Sequence, residues 1–246
     1  LYLATAERSY LNDIVSVDAT GAYTGYLAKL VGNATNTWQN IWVHSWETKW
    51  GGVFSMLDPA IIGDLTLPEK TRTDIHFFNK WHTEYWTQVP HDDLNSTTFL
   101  VGSPGGFQYL NGWGSARYNT AAQLEALAYR KHFPTDPKSV KFTDWAMGQM
   151  NYIMGDNPLK RSYIVGFGST TPGVGQLVGG SAVAAQHPHH AAAHGSTTNN
   201  QDDPSTHRHT LWGALVGGPD LKDQHADLTT DYVYNEVAVD YNAAMV

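Results

Sequence analysis

Cysteine is absent from this chain, which removes disulfides, thiolate metal sites and thiol nucleophiles together. Charge is also sparse: charged residues make up 15% of 246 positions and the formal net charge is −8. A phosphate backbone needs a basic stripe, so nucleic acid is not an expected partner. No apolar run approaches the roughly 20 residues that span a bilayer, and no basic-then-apolar leader opens the chain. A membrane is therefore not an expected partner either, and any signal peptide lies outside this sequence. The first 154 residues also lack internal repeats, low-complexity linkers and any clear domain boundary.

What is present is an ordinary hydrophobic fraction, 41%, with an unusual aromatic content of 12%, including 9 Trp and 13 Tyr. A globular core is expected. Flat amphipathic rings also suit sugar faces, because C–H groups lie on the ring while the polar tip bonds to hydroxyls. On composition alone a Trp-rich core accounts for them equally well.

Up to residue 154 the pattern is helical. Leu1 to about Val17 is helix-compatible. Trp38, Trp42, Trp46 and Trp50 then recur in steps of four, near one side of any helix that carries them. Thr66-Leu67-Pro68-Glu69 reads as a capping box, and Ile75, Phe78, His82 and Tyr85 follow at helical spacing, predicting a helix over about 67–86. Ser115 is a candidate cap for a helix with Ala121, Leu124, Leu127 and Ala128 as its buried stripe, ending at His132-Phe133-Pro134. Asp136-Pro137 opens another, with Phe142, Ala146, Met150 and Ile153 on one face and Gly155 as its C-cap.

From 155 to 231 the periodicity disappears, and Gly, Pro, His, Asp and Thr dominate. A loop region of that length in a compact domain is expected to be functional, and it reads as an active-site wall. Helical pattern returns at Asn235, a plausible N-cap, with Val237, Tyr241 and Ala244 on one stripe. No closing signal follows before Val246, so the sequence reads as cut short.

Two groups of residues carry chemistry. His187, His189, His190, His194, His207, His209 and His225 crowd the loop region, which raises a metal site, but no HExxH pattern accompanies them. Hydrogen bonds to substrate hydroxyls or loop carbonyls suit them better. Asp227, Asp231, Glu236 and Asp240 cluster at the last element boundary. Glycoside hydrolysis needs paired carboxylates, one to protonate the glycosidic oxygen and one to activate water or attack carbon. Four acids at a helix start are more often a solvated cap. Glu236, however, lies among Val233, Tyr234, Val237 and Ala238, an apolar setting that raises a carboxyl group's proton affinity, while a helix N-terminus would oppose it.

At this point the chain resembles glycoside hydrolase family 9, inverting glucanases built on a barrel of six helical hairpins. The resemblance is carried by Ser103-Pro104-Gly105-Gly106, Trp113-Gly114-Ser115-Ala116-Arg117-Tyr118 and Tyr152-Ile153-Met154-Gly155-Asp156-Asn157-Pro158. It continues in Ser162-Tyr163-Ile164-Val165-Gly166-Phe167-Gly168, Pro188-His189-His190 and Gly213-Ala214-Leu215-Val216-Gly217-Gly218-Pro219-Asp220. It closes on Asp231-Tyr232-Val233-Tyr234-Asn235-Glu236-Val237-Ala238-Val239-Asp240-Tyr241-Asn242-Ala243.

The resemblance implies an all-α fold, part of an (α/α)6 barrel, and hydrolysis of β-1,4-glucosidic bonds with Glu236 as catalytic acid. It implies His189 and Tyr241 as sugar contacts beside the scissile bond, Trp113 and Tyr118 in the cleft lining, and Trp46, on a looser alignment, as another platform. The partner is then β-glucan or a cello-oligosaccharide, and the enzyme a secreted one. No cofactor is required; structural calcium, common in the family, has no clear ligand set here and stays an option. Two departures stand out. Ala191 follows the His pair where the family usually has Arg, leaving Arg208 as a substitute, and His225 stands where an aromatic is common.

The family's Asp-Ala-Gly-Asp motif, which supplies the base, is absent; Asp18-Ala19-Thr20-Gly21 echoes it only superficially. Residues 1–246 are thus expected to be the C-terminal portion of one catalytic domain whose N-terminal half is missing, and to be inactive alone. An alternative reading, motivated by Ala191 and the missing base, is a carbohydrate-binding or scaffold role on a degenerate barrel.

Overall fold

The structure, a computed structural model, describes residues 1–28, 49–87, 100–110, 112–168, 181–182, 211–228 and 230–245. Among these, ordered backbone is almost entirely helical. The helices are α1 (Tyr2–Thr5), α2 (Arg8–Val15), α3 (Trp50–Ile61), α4 (Glu69–Thr87), α5 (Ser115–His132), α6 (Ser139–Met154), α7 (Tyr232–Asn235) and α8 (Val239–Ala243). Sheet is confined to two two-residue pairs: β1 (Val101–Gly102) runs antiparallel to β2 (Gln108–Tyr109), and β3 (Arg161–Ser162) parallel to β4 (Ser181–Ala182).

The helix-compatible N-terminus is broken in two. Ala6 adopts a left-handed conformation at φ 57°, and Glu7 then caps α2 by accepting from the Ser9 N–H. Helix α3 meets the core through Phe54, Leu57 and Ile61, at helical spacing. Of the tryptophan ladder only Trp50, at the start of α3, falls within the described residues; Trp38, Trp42 and Trp46 lie outside them.

Helix α4 begins two residues later than the capping pattern predicts. The Thr66 hydroxyl donates instead to Asp64 Oδ1 at 2.6 Å. Over its second half α4 is buried on nearly every side: Trp81, His82, Thr83, Glu84, Trp86 and Thr87 are all inside. A helix enclosed all round is an inner element, packed between layers rather than lying on one. Its polar residues are matched accordingly: Lys138 pairs with Glu84 at 2.7 Å and His82 with Glu125 of α5.

Helices α5 and α6 form the expected antiparallel hairpin and pack extensively on each other. Two details of α5 correct the sequence reading. Gly114, left-handed at φ 61°, precedes the helix without a side-chain cap, and Ser115 is buried, accepting from the Leu110 N–H. The buried face is also not Ala121, Leu124, Leu127 and Ala128. Leu124 is exposed, while Asn119, Gln123, Glu125, Ala122, Ala126 and Tyr129 are buried. Its two buried amides are hydrogen-bonded: Asn119 donates to Gln149 of α6 at 2.7 Å, and Gln123 to Asn119 at 2.7 Å. On α6, Phe142, Ala146 and Ile153 are buried as expected, and Gly155 closes the helix with its N–H on the Asn151 and Tyr152 carbonyls.

The last predicted helix is also corrected. Asn235 ends α7 rather than capping a longer helix; Glu236 is extended (φ −58°, ψ 141°), and Val237 bridges Val216 before α8 begins. Beneath this break lies a core of Phe107, Tyr152, Tyr163, Leu215, Val216, Val237 and Tyr241.

Candidate active site

Three segments distant in sequence are stitched at the start of α5. The Gly114 N–H donates to the Val233 carbonyl at 3.1 Å and the Ala116 N–H to the Gly217 carbonyl at 3.0 Å, so the otherwise unpaired amides of a helix N-terminus find partners. The Gly218 N–H reaches the Tyr234 carbonyl at 3.1 Å. Asn242 of α8 secures the 213–215 segment from the other side, donating to the Gly213 carbonyl at 2.8 Å and accepting from the Leu215 N–H at 3.0 Å.

A buried carboxylate anchors the floor. Asp223 accepts from the Ser103 hydroxyl, from the Gly105 N–H at 2.6 Å and from the Tyr152 hydroxyl at 2.5 Å. It thereby joins the Ser-Pro-Gly-Gly loop and the end of α6 to the segment after Gly-Pro-Asp.

On this frame Glu236 sits half-buried, in the extended break between α7 and α8. The Trp113 indole N–H, 123 positions earlier, and the Tyr241 hydroxyl, at 3.0 Å, both donate to its Oε2. Trp113 is 43% exposed and Tyr241 fully buried. Their approach depends on Gly114: a Cβ there would stand 2.2 Å from the Tyr241 hydroxyl oxygen, so only glycine fits both the left-handed φ and the ring. Burial, and secondarily the Glu236 carboxylate, hold the Tyr241 phenol far above its usual proton affinity, so it stays a neutral donor.

Tyr118 is inside, 4% exposed, with its hydroxyl accepting from Arg117 at 2.7 Å. Neither Tyr118 nor Tyr241 offers a ring face to a ligand; Trp113 does, and the Tyr232 ring leans against it at 5.1 Å between centroids. Asp231 precedes α7 with its proton affinity raised by partial burial, and Asp240 lies 3.9 Å from Arg117. The expected loop contact His189, the platform Trp46, Ala191, Arg208 and the histidines from 187 to 209 fall outside the described residues. Among the described residues no group of three or more His, Asp or Glu side chains is placed to hold a metal, and no helix is long and apolar enough to cross a membrane.

His225, the departure noted in the sequence, is an interior ring. It is buried edge-on against Tyr163 at 5.1 Å, and burial lowers its pKa to about 4, so it packs as a neutral ring.

Residues 1–246 match the model of glycosyl hydrolase family 9 over their whole length. The chain belongs to that family. It is 35% identical over 99% of its length to endoglucanase A of Bacillus pumilus, covering 32% of that protein. It is also 35% identical to an endoglucanase of Dictyostelium discoideum, covering 28% of it. Among solved family 9 structures, the catalytic domain of Clostridium thermocellum CelT superposes with a TM-score of 0.69 at 36% identity, over 99% of this chain and 44% of that one. Endoglucanase CelQ from the same organism, complexed with cellobiose and cellotriose, gives 0.72 at 32% identity, over 100% of this chain and 35% of that one. The chain thus spans about a third of the curated relatives, and its all-α architecture is part of the family's (α/α)6 barrel.

Two residues escaped the sequence reading. Arg117 stands in the Trp-Gly-Ser-Ala-Arg-Tyr motif one helical turn after Trp113, a spacing that could have flagged it. Asp223 is linked to Ser103 across 120 positions, and no local pattern announces it.

Proposed function

We propose that this chain is the acid-bearing portion of a secreted β-1,4-glucanase that cleaves cellulose or related glucans with inversion. The observation that carries the reading is the convergence of a family 9 motif glutamate, an exposed tryptophan and a buried tyrosine hydroxyl at one point. Glu236 protonates the glycosidic oxygen as the bond breaks, and two neutral donors fix the carboxyl group's orientation. Trp113 supplies a stacking face beside it. His189 and Trp46 contribute further sugar contacts, and Tyr118 backs the cleft lining from inside, its hydroxyl accepting from Arg117. The base that activates water belongs to the N-terminal half of the domain, so residues 1–246 alone do not turn over substrate. A polymeric substrate does not enter cells, so the enzyme acts outside them.

The test is the stereochemistry of hydrolysis by the protein with its N-terminal half in place. Proton NMR of freshly cleaved cello-oligosaccharide should record the α-anomer first. Initial β-anomer would contradict inversion. Binding without any cleavage would favour the scaffold reading.

A further inference from the structure

Arg117 occupies the first turn of α5 with its side chain only 13% exposed. Its guanidinium carbon lies 4.6 Å from the Tyr118 ring centroid and 5.3 Å from that of Tyr241. Nη2 donates to the Tyr118 hydroxyl at 2.7 Å and reaches the Trp113 carbonyl at 3.5 Å; Nη1 stands 3.9 Å from the Asp240 carboxylate. One cation therefore touches both residues whose N–H and O–H hold Glu236. A cation over a phenol ring is attracted to its face and strengthens its O–H as a donor. A stronger donor favours the charged form of the carboxylate it bonds.

We propose that Arg117 is a positioning residue for the acid: held between two tyrosine rings, it keeps the Tyr241 hydroxyl on Glu236 and limits how tightly Glu236 holds its proton. The inference rests on Glu236 being the general acid. Two neutral donors converge on Glu236 Oε2, and the Arg117 cation stands behind both, so its loss is felt at the carboxyl group. The titratable and charged groups facing this relay are Glu236, Tyr241, Tyr118 and Asp240, with Tyr232 beyond the Trp113 ring. Asp240 partly offsets the cation, so a variant without Arg117 leaves an unmatched negative charge beside the phenol.

Arg117→Met, made in the complete enzyme, keeps the stem between the rings and removes the charge. The alkaline limb of the kcat/KM–pH profile should move up by about one pH unit, the scale of a nearby charge acting through one intervening group. Arg117→Lys, which keeps the charge, should leave the limb near its wild-type position. In a Tyr241→Phe background the Met substitution should no longer move it, because the relay is already cut. An unmoved limb in a folded Met variant overturns the proposal, as does a shift of the same size with and without the Tyr241 hydroxyl. Should the Met variant fail to fold, the Lys variant decides: a limb displaced by a full unit contradicts control by charge, and an unmoved one upholds it. Glu236→Gln is the separate control. If it keeps wild-type activity and the same limb, the acid assignment fails whatever Arg117 does.

Discussion

Replacing Gly114 with alanine tests how tightly the site is built. At φ 61° any side chain incurs about 1–2 kcal/mol of left-handed strain. The added Cβ would also stand 2.2 Å from the Tyr241 hydroxyl oxygen and 2.7 Å from Cζ, so the ring or the backbone must move. Overpacking of this kind costs about 1–3 kcal/mol more. Gly21 supplies the comparison: at φ 83° it carries similar strain, but nothing lies within 4 Å of its Cβ position. In urea titrations with unchanged m-values, Gly114→Ala should lose about 2–5 kcal/mol and Gly21→Ala about 1–2. Only the first should lose activity, by roughly tenfold or more, because moving the ring breaks its 3.0 Å bond to Glu236. Equal stabilities for the two variants, or full hydrolytic activity in Gly114→Ala, would refute the close fit.

Asp223→Ala strands the Ser103 and Tyr152 hydroxyls and the Gly105 N–H in a buried setting, and should cost about 3–5 kcal/mol by chemical denaturation. A loss under about 1 kcal/mol would mean that the latch is not needed. His225 titrates near 4 folded against 6.5 unfolded, so the unfolded chain takes up its proton first on acidification. Its contribution, at most about 3 kcal/mol, is present above pH 6.5 and disappears as the pH falls toward 4. His225→Phe should keep the packing on Tyr163 and flatten the fall of Tm across that window; an unchanged slope would assign the acid sensitivity elsewhere.

The long helices were legible because their signals are local: apolar residues recur at helical spacing in α4 and α6, and Gly155 stops α6. The buried face of α5 was not. An inner helix is packed on several sides, and its polar residues become core when Gln149 and His82 stand opposite them. The break at Glu236 was likewise hidden, because the pairing of Val237 with Val216 is a long-range contact that overrides a helical stripe. In the candidate site, Glu236 stood out from its acidic cluster by its apolar neighbours, whereas Trp113 and Tyr241 came from motif resemblance. Periodicity placed Tyr241 on a helix but gave no reason for its hydroxyl to meet Glu236.

The central claim, that Glu236 is the general acid, is tested most directly by comparing two substrates on Glu236→Gln in the complete enzyme. Loss of acid catalysis should lower turnover of unactivated cello-oligosaccharide by about 10²–10⁴-fold. An aryl cellobioside, whose leaving group departs without protonation, should be cleaved at close to the wild-type rate, with oligosaccharide binding retained. Equal losses on both substrates, or near-wild-type hydrolysis of the oligosaccharide, would contradict the account.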